Sequence, residues 1–138
     1  MMNKRILLYL SITLILFLLS ACSAGKGSDA LDGTAWQLVA MGEDLPLPES
    51  TLTIVFEDGQ AGGSSGCNSY GGAYTIQDDQ FGIKDIASTL MACLDAGLME
   101  QEQAYLAFLG EVTGYSLSEG MLYLTRPDGS SLRFIPQP

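Results

Sequence analysis

Apolar and polar residues alternate along several short segments of this chain. The clearest case is residues 51–57, and a weaker one is residues 34–41. The apolar positions that fall on one side of these two segments are Leu52, Ile54 and Phe56, and Trp36, Leu38 and Ala40. Because a period of two is typical of strands with one buried face, both segments are predicted strands. Further alternating pairs are Tyr74 and Ile76, Phe81 and Ile83, Tyr115 and Leu117, Leu122 and Leu124, and Leu132 and Phe134.

Turn residues separate these strands, and a single segment has helical spacing. The turns are Asp58-Gly59, Asp78-Asp79, Gly120 and Pro127-Asp128-Gly129. The helical positions that share a face are Leu98, Tyr105, Leu109 and Val112. Asp95 is a suitable N-cap and Gly114 is placed to end the helix, while Glu102 interrupts its apolar stripe. Residues 31–138 are therefore predicted to form one α+β domain, in which about seven short antiparallel strands make a strongly curved sheet or partial barrel and one main helix covers an end.

The first residues have the layout of a secretory signal. Lys4 and Arg5 precede an apolar run over residues 6–19, which is shorter than the roughly 20 residues of a membrane-spanning helix. The following Leu19-Ser20-Ala21-Cys22 resembles the bacterial lipobox, in which cleavage occurs before a cysteine that receives lipid. Residues 1–21 are thus a predicted lipoprotein signal peptide, with an uncleaved anchor helix as the alternative. Residues 22–30 are small and polar and form a predicted flexible tether after lipidated Cys22.

These features predict an address outside the cytoplasm. The lipid at Cys22 would hold the mature chain on the cell membrane or the outer membrane, so the membrane is its first expected partner. The mature chain has sixteen acidic residues against four basic ones, a net charge of −12. Since nucleic acids are bound through a basic face, this charge excludes a nucleic-acid partner.

Candidate catalytic groups are scarce. The sequence contains no histidine, which removes Ser-His-Asp and Cys-His mechanisms. Gly62-Gly63-Ser64-Ser65-Gly66 fits the G-x-S-x-G pattern, but a nucleophile elbow also needs a following helix and a histidine. A hydrolase acting through Ser64 or Cys67 is a remote alternative. Because histidine is absent, we expect no catalytic residues. No calcium-loop motif is present, so we expect no bound metal, and no motif indicates a cofactor.

Two cysteines remain after Cys22. In an exported protein, Cys67 and Cys93 are most simply explained as a disulfide. A catalytic thiol, a metal-binding pair and two free buried thiols are the alternatives.

Several short motifs together point to one family. Leu31-Asp32-Gly33-Thr34-Ala35-Trp36-Gln37-Leu38, Gly66-Cys67-Asn68 with Gly72 and Tyr74, and Thr89-Leu90-Met91-Ala92-Cys93 occur in the order found in the META domain family. The chain resembles that family over about residues 31–135. The resemblance implies a compact α+β, barrel-like domain, often carried on bacterial lipoproteins and associated with heat-shock and envelope stress. It supplies no catalytic residues.

The function expected from these observations is a non-enzymatic one. The chain would be a lipid-anchored binding or envelope-stress protective module, with an unidentified envelope protein as its partner. The alternative is a carrier of a small apolar ligand or lipid that uses the barrel mouth, with Trp36, Tyr70 and Tyr74 as its lining.

Overall fold

The computed structural model of the chain describes residues 29–138. The predicted signal peptide, Cys22 and most of the predicted tether lie outside the described residues. The strands are β1 (Thr34–Met41), β2 (Thr53–Glu57), β3 (Gln60–Ser64), β4 (Ser69–Gln77), β5 (Gln80–Ser88), β6 (Gly114–Ser118), β7 (Met121–Thr125) and β8 (Ser131–Pro136). One helix, α1 (Leu98–Glu111), lies between β5 and β6.

The strands form a closed antiparallel barrel. Each strand pairs with the next along the chain, and β8 pairs with β1 to complete the ring. The predicted α+β domain of short antiparallel strands with one main helix is confirmed, and its sheet closes fully. The described chain has one strand more than the approximate prediction, because the glycine-rich β3 lacks apolar alternation.

The ring has one weak joint. Strands β5 and β6 share a single register pair, Gln80 with Gly114, whereas β1 and β8 share five. Helix α1 lies between these two strands in the chain and packs against β5. The helix therefore covers the edge of β5 that β6 leaves unpaired.

Both helix boundaries differ from those that local signals predict. The N-cap is Gly97, whose left-handed φ of 86° reverses the chain, and no side chain caps the helix. The predicted N-cap Asp95 is wrong, because this reversal begins the helix two residues later and only the Asp95 carbonyl approaches the Leu98 N–H, at 3.4 Å. The helix ends at Glu111, before Val112 adopts an extended conformation, and Gly114 begins β6 instead.

The core fills the barrel and the space beneath α1. The large apolar and aromatic side chains with essentially no exposure are Leu31, Leu52, Ile54, Phe56, Tyr105, Leu109, Leu122, Leu124, Leu132 and Phe134. The predicted strand alternation is confirmed in β1 and β2, where the buried positions are those expected. No helix within residues 29–138 has the length and apolarity that crossing a membrane requires.

The two ends of the barrel differ in construction. The turn end carries the Asp58-Gly59 and Asp78-Asp79 turns, and the chain enters the barrel there, since the Gly33 N–H donates to the Phe56 carbonyl. The loop end consists of the β1–β2 connection (residues 42–52), residues 64–69, residues 88–101, which run from the end of β5 into α1, and the β7–β8 turn (residues 126–130).

Candidate functional site

A buried carboxylate joins α1 to the β3–β4 connection at the loop end. Glu102 is 5% exposed, and its neighbours Ser65 and Asn68 are also buried. One Glu102 oxygen accepts from the Ser65 hydroxyl at 2.5 Å and from the Asn68 backbone N–H at 2.8 Å. The other oxygen accepts from Asn68 Nδ2 at 2.8 Å. This acid therefore belongs to the buried helix face that it had been predicted to interrupt.

The donors around Glu102 decide its ionisation. Burial raises the pKa of the Glu102 carboxyl, but the hydrogen bonds from the Ser65 and Asn68 side chains and from the Asn68 and Cys67 backbone outweigh it. The pKa consequently lies below the ordinary glutamate value. Since a buried charge is tolerated where hydrogen bonds replace water, Glu102 is an ionised acceptor that holds the Ser65–Asn68 turn against α1.

Asn68 extends this network to the loop that follows β5. Its Oδ1 accepts from the Thr89 hydroxyl and from the Met91 N–H, each at 2.8 Å, and its Nδ2 donates to the Met91 carbonyl at 3.2 Å. Two residues beyond Met91, Cys93 is bonded to Cys67 in a disulfide with a Cα–Cα distance of 6.0 Å. The predicted disulfide is thus present, and it ties the loop to the same turn that Glu102 holds.

Next to these bonds the loop exposes large apolar side chains. Residues 90–94, here called the apolar loop, include Leu90, Met91 and Leu94, which are 95%, 60% and 99% exposed. The backbone of the apolar loop is fixed by a covalent bond and by Asn68, whereas its side chains project outward. Exposed apolar groups that cluster on a constrained backbone are typical of a binding surface.

The predicted ligand-lining aromatic residues lie in the core. Trp36, Tyr70 and Tyr74 are all buried. The Tyr70 hydroxyl bonds the Thr53 carbonyl at 2.9 Å and the Tyr105 hydroxyl at 2.8 Å, and burial raises the pKa of both tyrosines. Neither of two surface depressions, with volumes of about 240 and 560 Å³, is lined by these three residues. Their role in ligand binding stays a prediction.

Ser64 lies in a setting unlike that of a nucleophile elbow. It ends β3, and the chain turns into strand β4 rather than into a helix. Its hydroxyl accepts from the Gly66 N–H at 3.2 Å, and its own N–H donates to the Thr53 hydroxyl at 3.0 Å. The glycine-rich segment serves close strand packing, since a Cβ on Gly63 would lie 2.4 Å from the Thr53 carbonyl oxygen.

The larger depression lies beside the second half of α1. Its lining includes residues 41–44, Phe108, Arg126 and Asp128. The Arg126 guanidinium lies 3.8 Å above the Phe108 ring centroid and pairs with Glu111 at 2.9 Å. Hydrogen bonds from Ser130 hold the pKa of Asp128 below its usual range. This arrangement anchors the β7–β8 turn to the helix.

Sequence reasoning missed the Glu102 network, although one signal pointed to it. An acid in an apolar helix face requires polar partners, and Ser65 and Asn68 flank the predicted disulfide cysteine Cys67.

Within residues 29–138, no cluster of three or more acidic, cysteine or histidine side chains could hold a metal ion.

The fold and this site together define a class of protein, a small antiparallel barrel with one helix that presents a disulfide-tied apolar loop at one end. The chain belongs to the META domain family, whose domain matches residues 29–138. It is similar to an NMR structure of a protein from Burkholderia xenovorans, with 28% identity, a TM-score of 0.65, and coverage of 78% of this chain and 83% of that one. A further NMR structure has the same fold at 20% identity and a TM-score of 0.62, covering 76% of this chain and 90% of that one. No curated protein matches the chain.

Proposed function

We propose that this chain is a non-enzymatic binding module, anchored by lipid at Cys22 outside the cytoplasm, whose apolar loop contacts an envelope protein. The observation that carries the proposal is the exposure of Leu90, Met91 and Leu94 on a backbone held by a disulfide and by Asn68. Apolar side chains exposed together are unfavourable in water, and they are commonly retained where a partner covers them.

The rigidity of the loop supports a binding role. A loop that is already ordered loses less conformational entropy when a partner docks, so more of the contact energy appears as affinity. The buried Glu102 carboxylate, the disulfide and Asn68 act on one turn and one loop, and their common effect is to fix the apolar loop.

The packing of the barrel interior favours this role over the carrier alternative. Phe56, Leu122 and Phe134 have no measurable exposure and fill the interior, where a carrier would hold its ligand. The META domain membership adds an envelope-stress setting to the proposal, because bacterial members of the family are associated with heat shock. A protective role would follow if the loop binds an envelope protein under stress.

The test compares two variants of the full, lipid-anchored chain in its own cells. Leu90→Ser/Leu94→Ser removes the exposed apolar groups, while Leu117→Ser removes a 44% exposed leucine in β6. After chemical crosslinking and affinity purification, we expect the protein adducts of the wild type to disappear in the loop variant and to persist in the β6 variant. An unchanged set of adducts in the loop variant would contradict the proposal.

A further inference from the structure

We infer that the partner of the apolar loop is a protein whose apolar pocket is rimmed by lysine and arginine side chains. This inference rests on the proposed function and adds the chemistry of the partner. It follows from the charges around the loop end.

Acidic residues outnumber basic ones at the loop end. Glu49, Asp95 and Glu100 are exposed in the segments that form this end. None of the three forms an ion pair within residues 29–138. Arg126 is the one basic residue in those segments and pairs with Glu111, while Lys84 and Arg133 lie within strands β5 and β8. The apolar loop therefore projects from a net acidic surface.

The acidic charge of the loop end favours some partners of the apolar loop over others. Two copies of the chain would bring two acidic loop ends together, and like charges across an interface are strongly unfavourable. An anionic bilayer would be repelled in the same way. A protein pocket with a basic rim would instead gain both the apolar contact and complementary charge, which also accelerates association.

The experiment uses a photoreactive benzoylphenylalanine in place of Leu94 in the full, anchored chain, expressed in its own cells. A second protein carries the same group in place of Leu117 and reports background. Asp95→Lys/Glu100→Lys reverses two charges at the loop end. Glu57→Lys/Asp79→Lys makes the same change in net charge at the turn end. Matching thermal unfolding of the two charge variants excludes an effect through misfolding.

We expect a protein adduct at position 94 that exceeds the background at position 117. The loop-end charge reversal should reduce it about tenfold, because each exposed opposite-charge pair contributes modestly and the effects accumulate. The turn-end reversal should change it less than about twofold, since surface charges beyond about 10 Å are screened. Mass spectrometry should identify a partner with basic residues at the crosslinked site.

Other outcomes overturn the inference in distinct ways. An adduct that the loop-end reversal leaves unchanged would refute the basic rim while leaving the proposed binding role intact. An adduct with the mass of a fatty acyl chain would identify a bilayer as the occupant, and one containing only this chain would identify a second copy. A signal at position 94 no greater than that at position 117 would refute the proposed function itself.

Discussion

At the scale of single residues, Glu102 is the buried charged side chain of the described residues. It lies on the same helix face as Leu98, Tyr105 and Leu109, and it is the acceptor for Ser65 and Asn68. Removing such a charged acceptor leaves buried donors without a partner, which costs more than the hydrogen bonds themselves contribute.

Glu102→Gln is therefore expected to destabilise the domain by about 1–3 kcal/mol, because the new amide presents donors to groups that are already donors. Urea unfolding followed by circular dichroism measures this change. Glu100→Gln is the matched control, since Glu100 is exposed in the first turn of the same helix and makes none of these contacts. Equal stability of the two variants would contradict the structural role of Glu102.

The lowered pKa of Glu102 also predicts a pH dependence. A group whose pKa is lower in the folded state contributes stability above its unfolded pKa, about 4.3 for glutamate, and loses it as the pH falls through the folded value. The stability gap between the wild type and Glu102→Gln should thus be constant near neutral pH and shrink below about pH 4.3. Urea midpoints measured from pH 3 to pH 7 provide the test, and a gap that is independent of pH would refute it.

Gly63 is a second position at which a single added atom is expected to change the stability of the domain. A Cβ there would lie 2.4 Å from the backbone oxygen of Thr53, the carbonyl that also accepts from Tyr70. Gly63→Ala should lower the free energy of unfolding by about 1–3 kcal/mol, because β2 and β3 would have to separate. Gly82→Ala is the control, since its Cβ would meet nothing within 4 Å, and it should change thermal stability by less than about 0.5 kcal/mol. Similar losses for both variants would contradict this account.

At the scale of elements, the disulfide joins the β3–β4 turn to the loop after β5. It closes a sequence separation of 26 residues, for which chain entropy suggests a contribution of roughly 3 kcal/mol. Reduction should lower the melting temperature by roughly 10 °C in a domain of this size and should make the apolar loop more sensitive to protease. Differential scanning calorimetry and limited proteolysis, with and without reductant, measure the two effects. Stoichiometric alkylation of Cys67 and Cys93 in the unreduced protein would contradict the bond.

The elements that sequence reasoning predicted are those with a local signal. Strand β1 follows from alternation alone, and its predicted limits of residues 34–41 are those observed. Strand β3 could not be predicted, because its QAGGS sequence has no apolar alternation and it is a strand through pairing with β2 and β4. The start of α1 depends on the left-handed backbone of its N-cap, Gly97. The sequence favours Asp95 as the N-cap instead, because aspartate is a common residue at that position.

The features of the candidate site also divide into those that have a local signal in the sequence and those that do not. The disulfide could be predicted because two cysteines remained after Cys22, so a count was sufficient. The hydrogen bond between Ser65 and Glu102 spans 37 residues, and no local pattern encodes a contact of that range. The exposure of Leu90 and Leu94 was equally hidden, since apolar residues in a sequence are ordinarily expected to be buried.

At the scale of the whole molecule, the anchor remains a prediction from the sequence. Cys22→Ala should abolish acylation and shift the protein from the detergent phase to the aqueous phase, because the acceptor thiol is lost. Phase partition and mass spectrometry of the N-terminal peptide measure the outcome, with Cys67→Ser/Cys93→Ser as a control that leaves Cys22 in place. Fatty acid that persists on the Cys22→Ala protein would refute the assignment.

The pairing of β1 with β8 has a consequence for how this domain opens. Chain termini ordinarily fray first, but here the first and last strands hold each other through five register pairs, and Gln137 still bonds Ala35 beyond the end of β8. The joint with a single pair lies in mid-chain, between Gln80 and Gly114. Local unfolding should accordingly begin in the middle of the chain, when α1 separates from β5, while β1 and β8 remain paired. Amide hydrogens along β1 and β8 would then exchange among the slowest in the molecule, and those near Gln80 and Gly114 among the fastest.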